Sequence, residues 1–356
     1  MVDFSIHPHI AIINDDDQDY SSQCLKDSLC TVGCHADIIN PNTLVQSNGE
    51  DSEHIDPTNQ QFKAYDLIIY RYQASFSRIV HLLNQYDGPL IVYYYAEIAL
   101  GNLRAYSQAA PLVRQRELDR QQFCEWVQVN AQRVSWLADS RQAADDLIAW
   151  GVINSPPHLS IVAPFVRLQP GLYAAHAKPR PNNTLSILIA DHFIADSGHK
   201  KILDIISHYQ AMCATNIEVN FTGTLEIALK GYIQEIKHHA QRLGIEVYIH
   251  TSTAKSKIDN KIFLRADLMI HMADNAHFST ELVQAQAMGL PVLKVSKTEP
   301  TIEASERLAQ ALLDPAAREQ LILQGYRSIS RQHTTLVIEQ QLLSTVATSL
   351  ISAGST

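Results

Sequence analysis

The chain has 356 residues, 46% of them hydrophobic and 18% charged, with a formal net charge of −9. That length exceeds one ordinary core and predicts two domains. The composition excludes a disordered chain, and the acidic balance argues against nucleic acid or a strongly anionic membrane as the main partner. Its five cysteines show no C-x-x-C pair, although Cys30 and Cys34 can share a helix face. No metal site is expected from them, and a reduced, cytoplasmic setting fits best. His7, His9 and three aspartates surround one short apolar run at the N-terminus, which reads as neither a secretory signal nor a membrane span.

A first strand is predicted from His9 to Asn14, then a helix from Tyr20 to Val32 and a strand from Ala36 to Asn40. Residues 41–62 are rich in Asn, Ser and Asp and read as a long surface loop. Tyr65 to Tyr70 is the next strand, Ser77 to Asn84 a helix, and Pro89 to Tyr95 a strand. Gln115 to Ala131 has helical spacing, and Val134 to Ala138 is a strand. Arg141 to Trp150 is a helix behind the cap-like Asp139-Ser140, and Ile161 to Pro164 closes this half. Three prolines and a glycine then mark a linker over residues 169–183.

A second alternating series follows. Strands are predicted over Leu185 to Ala190, Ile217 to Phe221, Ile245 to Ile249 and Ala266 to Met272. Helices fall between them over Lys200 to Ala211, Gly231 to Leu243 and Lys257 to Leu264. Ala304 to Ser352 is mostly helical, with a break at Asp314-Pro315. Strands alternating with helices indicate parallel, doubly wound sheets, so the fold class is α/β with two Rossmann-like domains facing a cleft. No G-x-G-x-x-G follows the first strand and no G-x-x-x-x-G-K-[ST] occurs, which argues against a dinucleotide dehydrogenase or a P-loop kinase.

Residues 275–293 are the most informative stretch. Ser279 and Thr280 are good N-caps for a helix that Gly289 stops, and Pro291-Val292-Leu293 opens the next strand. A strand, a polar loop and a capped helix end form a site for an anionic ligand, because backbone N–H groups and the helix dipole point into the loop.

Several blocks, in order, resemble the two-domain, GT-B fold glycosyltransferases of family 4, of the bacterial polysaccharide type. They are Tyr65 to Tyr72, Leu90 to Tyr95, Leu137-Ala138-Asp139-Ser140, Val162-Ala163-Pro164, Ala266-Asp267-Leu268, the 275–293 stretch, and Leu312-Leu313-Asp314-Pro315 with Arg318. The resemblance implies an acceptor-side domain over residues 1–168, with a terminal helix, 335–356, packing back on it. After the linker it implies a nucleotide-sugar domain over residues 184–334.

The donor positions depart from the family's pattern. Asp191 and His192 stand where a Gly-Arg pair grips the donor diphosphate, and Ser197 stands for a lysine; Lys200 and Lys201 lie a few residues further on. A neutral His is a poor substitute for a bidentate, permanently charged Arg. Lys200 and Lys201 read either as a displaced phosphate clamp or as a solvated helix start. Ala276 occupies the place of the first of two glutamates, and Gln284 the second, where an amide can still bond a ribose diol. Glu281, His277 and Tyr95 are the catalytic candidates, and Phe278, Ser279 and Thr280 complete the donor loop. Glu281 reads equally as a carboxylate favoured at a positive helix end. On the acceptor side the candidates are Asp19, Arg71 and Glu97, with an ion pair from Arg71 to Glu97 or a nearby Asp as the plain alternative.

The resemblance implies transfer of a sugar from a nucleotide-sugar to a glycan or glycolipid acceptor in polysaccharide biosynthesis. Configuration would be retained without metal or other cofactor, since helix dipole and cations carry the leaving diphosphate. The changed donor positions motivate a second reading: a catalytically degenerate partner or scaffold of another glycosyltransferase. The expected location is the cytoplasm, with peripheral association at the inner face of the membrane left open.

Overall fold

The computed structural model describes residues 7–14, 20–41, 62, 64–72, 76–94, 110–153, 159–162, 184–191, 193, 197–213, 215–224, 230–252, 260–274, 279–333 and 335–354. The chain divides into two compact units. One takes Met1–Ile98, Pro111–Phe165 and Thr335–Thr356, the other Ala99–Ala110 and Val166–Thr334.

In the first unit β1 (His9–Ile13), β2 (His35–Ile39), β3 (Leu67–Tyr72), β4 (Leu90–Tyr94), β5 (Val134–Ala138) and β6 (Leu159–Ile161) form a parallel sheet in the order β2-β1-β3-β4-β5-β6. β3 and β4 are buried along their whole length, as apolar strands covered on both faces must be. Side chains alternate across the sheet. Ile68, Tyr70, Tyr72, Val92 and Trp136 face one layer. That layer holds α2 (Val80–Asn84), α3 (Ala110–Asn130) and α4 (Arg141–Ala149), with Phe123 and Trp126 of α3 in its core. Ile10, Ile12, Leu67, Ile69 and Tyr93 face the other, where α1 (Tyr20–Thr31) brings Leu25 and Leu29.

The C-terminal helix α11 (Thr335–Gly354) belongs to this unit and buries Ile338, Leu342 and Val346 in the same cluster as α1. Those residues recur at the four-residue spacing of one helical face. The Thr345 hydroxyl donates to Ser160 Oγ at 3.0 Å, fixing α11 on β6.

Two boundaries differ notably from the sequence expectation. α3 begins at Ala110 rather than Gln115, since Pro111 sits in its first turn, where a missing N–H costs nothing. The closing segment expected from Ile161 begins earlier, as β6 from Leu159, because the register pairs Leu159, Ser160 and Ile161 with Trp136, Leu137 and Ala138. Of the expected loop over residues 41–62, residues 42–61 lie outside the described set, as do residues 163–183 with the linker.

In the second unit β7 (Thr184–Ala190), β8 (Asn216–Thr224), β9 (Glu246–Ser252), β10 (Leu268–Met272) and β11 (Val292–Val295) form a parallel sheet ordered β11-β10-β7-β8-β9. Ile187, Ile189, Ile270 and Met272 pack under α5 (His199–Cys213), α6 (Lys230–Leu243) and α9 (Thr301–Leu313). Leu188, Ala190 and Met269 pack under α7 (Asn260–Arg265) and α8 (Thr280–Ala287) on the opposite face. α10 (Pro315–Gln332) backs α8 through Ile329, Val283 and Ala287. The expected break at Asp314-Pro315 separates α9 from α10, and a second break, at His333, separates α10 from α11.

Candidate functional site

Ligands in doubly wound sheets sit beyond the carboxyl ends of the strands, where adjacent strands send their helices to opposite faces. In the second unit that point lies between β7, which leads into α5, and β10, which leads into α8. Two glycines let the chain close around it. A Cβ on Gly223, at the end of β8, would lie 1.8 Å from the carbonyl oxygen of Asp191, just past β7. Gly198, just before α5, has φ +77° and packs so closely on Met272 that a Cβ would lie 2.5 Å from its terminal methyl. The left-handed backbone and the contact both favour glycine.

Ser279 caps α8 as its sequence predicts. Its hydroxyl oxygen accepts from the Leu282 N–H at 3.1 Å, and the hydroxyl donates to the Glu281 carboxylate at 3.3 Å. Glu281 therefore sits in the first turn against the positive end of the helix. Gln284 is half-buried one turn further on.

The structure adds a carboxylate that the sequence reading does not single out. Asp274 lies two residues past β10, and its Oδ2 accepts from the Ser296 hydroxyl at 2.7 Å and from the Lys297 N–H. Those bonds hold the carboxyl below the usual carboxylate range. Asp274 thus ties the turn after β11 to the start of the loop before α8. Glu299 closes the same turn by accepting from the Ser296 N–H at 3.2 Å, and Arg307 holds Glu299 at 2.6 Å. The one signal in the sequence is a polar residue just past each of two adjacent apolar strands.

The two lysines of the expected phosphate clamp point apart. Lys200 forms an ion pair with Glu235 of α6 at 2.7 Å, and Lys201 donates to the Thr301 hydroxyl at the start of α9 at 2.8 Å. They link α5 to its neighbours on either side, Lys200 through an exposed ion pair.

In the first unit, β1 and β3 send their helices to opposite faces, so the corresponding crevice lies between them. Arg71, next to last in β3, is 4% exposed and donates to the Ser22 hydroxyl in the first turn of α1. Asp19, Tyr95, Glu97, His192, His277 and Phe278 lie outside the described residues, and so does the side chain of Thr280.

Other residues of the recognisable blocks hold the scaffold. Asp267, before β10, accepts from the Ser186 N–H at 2.9 Å, and Arg318 donates to the Asp267 carbonyl at 2.7 Å. Asp314 caps α10 through the Ala316 N–H at 2.9 Å. Ser140 caps α4 through the Ala143 N–H at 3.2 Å and donates to Asp139 at 2.7 Å. Among the described residues there is no group of three His, Cys, Asp or Glu side chains able to hold a metal, and no helix long and apolar enough to cross a membrane.

The two parallel sheets, of six and five strands, match structures of GT-B glycosyltransferases. The Anabaena protein HepE, solved in complex with UDP and glucose, is 15% identical, with a TM-score of 0.65 over 96% of this chain and 100% of its own. Sucrose-phosphate synthase from Thermosynechococcus elongatus is also 15% identical, with a TM-score of 0.65 over 97% of this chain and 100% of its own. A glycosyltransferase from Rickettsia africae is 10% identical, with a TM-score of 0.62 over 96% of this chain and 98% of its own. No family model and no curated relative matches the sequence.

Proposed function

We propose that the chain is a glycosyltransferase that takes a sugar from a nucleoside diphosphate sugar, with the donor held by the second unit. The observation that carries this reading is the capped end of α8 at the crevice between β7 and β10, in a chain that follows glycosyltransferase folds over nearly its whole length. A helix N-terminus supplies N–H donors and about half a unit of positive charge to a diphosphate. The HepE complexes with UDP and UDP-glucose make uridine the first base to try. The finer assignment is a family 4-like enzyme that retains configuration without metal and acts in the cytoplasm on a glycan or glycolipid; the ordered sequence blocks support it.

Gln284, on the second turn of α8, is assigned to the ribose. Titration calorimetry with UDP and a panel of UDP-sugars tests the reading. Saturable binding is expected, and Gln284→Ala should weaken it roughly fivefold, the worth of about 1 kcal/mol for a neutral hydrogen bond. No binding of any nucleotide or nucleotide-sugar at millimolar concentration would overturn the donor site and leave the chain as a partner of another transferase.

A further inference from the structure

We propose that β9 is a self-pairing edge: two copies of the chain join antiparallel through β9, about a twofold axis at Tyr248, into one continuous sheet. The surface lies at the edge of the second unit's sheet, and the proposal does not depend on the donor reading.

β9 (Glu246–Ser252) ends the order β11-β10-β7-β8-β9, and among the described residues it pairs with β8 alone. An edge strand offers a row of backbone N–H and C=O groups to any chain that can lie beside it, and sheets blunt such edges with short strands, lysine, proline or bulges. β11, at the opposite edge, has four residues, and β6 of the first unit has three. β9 has seven and reads Glu-Val-Tyr-Ile-His-Thr-Ser, without lysine or proline. It keeps an unbroken register with β8 from Glu246 to Ser252. None of those four guards is built into it.

Burial shows that the outer side of β9 is less covered than the strand beside it. Val219 and Phe221 of β8 are fully buried in the cluster beneath α6. Their neighbours in β9, Val247 and Ile249, are only half-buried in the same cluster. A further strand beside β9 covers both side chains and gains the free energy of that apolar burial. On the opposite face Glu246, Tyr248 and His250 are exposed, Tyr248 at 43%. The Tyr248 hydroxyl donates to the Glu246 carboxylate, and His250 Nε2 lies 3.4 Å from Asn220 Oδ1 of β8.

The sequence of β9 selects both the occupant and the register. In a twofold antiparallel joint the same patch serves both copies, so residues equally far on either side of the axis stand opposite each other. With the axis at Tyr248, Glu246 faces His250 of the second copy, Val247 faces Ile249, and the two Tyr248 rings meet. Acid meets imidazole twice, apolar meets apolar twice, and aromatic meets aromatic. These are the cross-strand pairs that stabilise a sheet. Moving the axis to Val247 or Ile249 sets Glu246 against Tyr248 or Ser252 and loses both acid–imidazole pairs. β9 is thus complementary to itself, and a second copy of this chain is the partner it fits.

Sedimentation velocity of the full chain across the micromolar range tests the proposal in the native protein, His250→Glu, Tyr248→Lys, and the double variant Glu246→Lys with His250→Glu. A monomer–dimer equilibrium is expected in the native protein. His250→Glu sets like charges opposite each other twice and should weaken the dimer about tenfold. The double variant restores opposite charges in the same register and should return the affinity to within about threefold of native. Tyr248→Lys places two ammonium groups at the axis and should also weaken the dimer about tenfold, which keeps the test decisive if changes at 246 and 250 disturb the fold. A chain that stays monomeric at about 100 µM overturns the proposal and leaves the edge to a different protein. A dimer unchanged in both single variants overturns it, because the contact then lies elsewhere. A loss in His250→Glu that the folded double variant does not recover overturns it as well.

Discussion

Asp267 and Asp274 flank β10, one as a buried tie and the other as an exposed one. Asp267 is buried at the amino end, satisfies the Ser186 N–H, and has Arg318 on its own carbonyl. Asp274 is exposed at the carboxyl end, where sheets of this kind hold ligands. Asp267→Ala strands a buried backbone donor and should cost about 2 kcal/mol in urea unfolding. The same substitution at Asp274 loses two hydrogen bonds but leaves their donors open to water, so it should cost less than at Asp267. Equal costs at the two positions would refute this division. Gly223 belongs with the scaffold. A methyl group 1.8 Å from the Asp191 oxygen must push β7 and β8 apart, so Gly223→Ala should cost about 3 kcal/mol by the same measurement.

Elements were legible in the sequence wherever one local signal sufficed. Ser140 and Ser279 cap the helices that their positions predict, and the expected break at Asp314-Pro315 marks the start of α10. Boundaries set by tertiary packing were not legible. β6 gets its register from β5, and the break at His333 falls where the chain passes from α10 to a helix that covers a different sheet. α11 is tied down by three aliphatic residues in one buried cluster with α1, β1 and β3. Leu342→Ala should therefore destabilise the first unit by about 3 kcal/mol, the usual cost of a cavity at a buried leucine. Chemical denaturation followed by tryptophan fluorescence can measure it, since Trp126, Trp136 and Trp150 all lie in that unit. A change below about 0.5 kcal/mol, the scale of a surface substitution, would show that α11 is loosely held.

At the scale of the molecule, the alternation of apolar runs with helical spacing discloses two doubly wound sheets, because strands covered on both faces must be apolar throughout. The site was less legible. Its outline followed from one stretch, the polar loop and Ser279 cap after β10. Asp274 and Ser296 stand 22 residues apart and meet only because β10 and β11 are neighbours in the sheet order. The expected clamp was misplaced for the same reason: Lys200 and Lys201 are adjacent in sequence, yet Glu235 and Thr301 draw them to opposite sides of α5. A transferase of the proposed kind releases the nucleoside diphosphate of its donor when the sugar passes to an acceptor hydroxyl or to water, so the most direct measurement is release of nucleoside diphosphate from nucleotide-sugars by the purified protein. The account predicts release of UDP from at least one UDP-sugar above a protein-free control, reduced in Gln284→Ala. No release from any nucleotide-sugar, with or without added glycan and glycolipid acceptors, would contradict it.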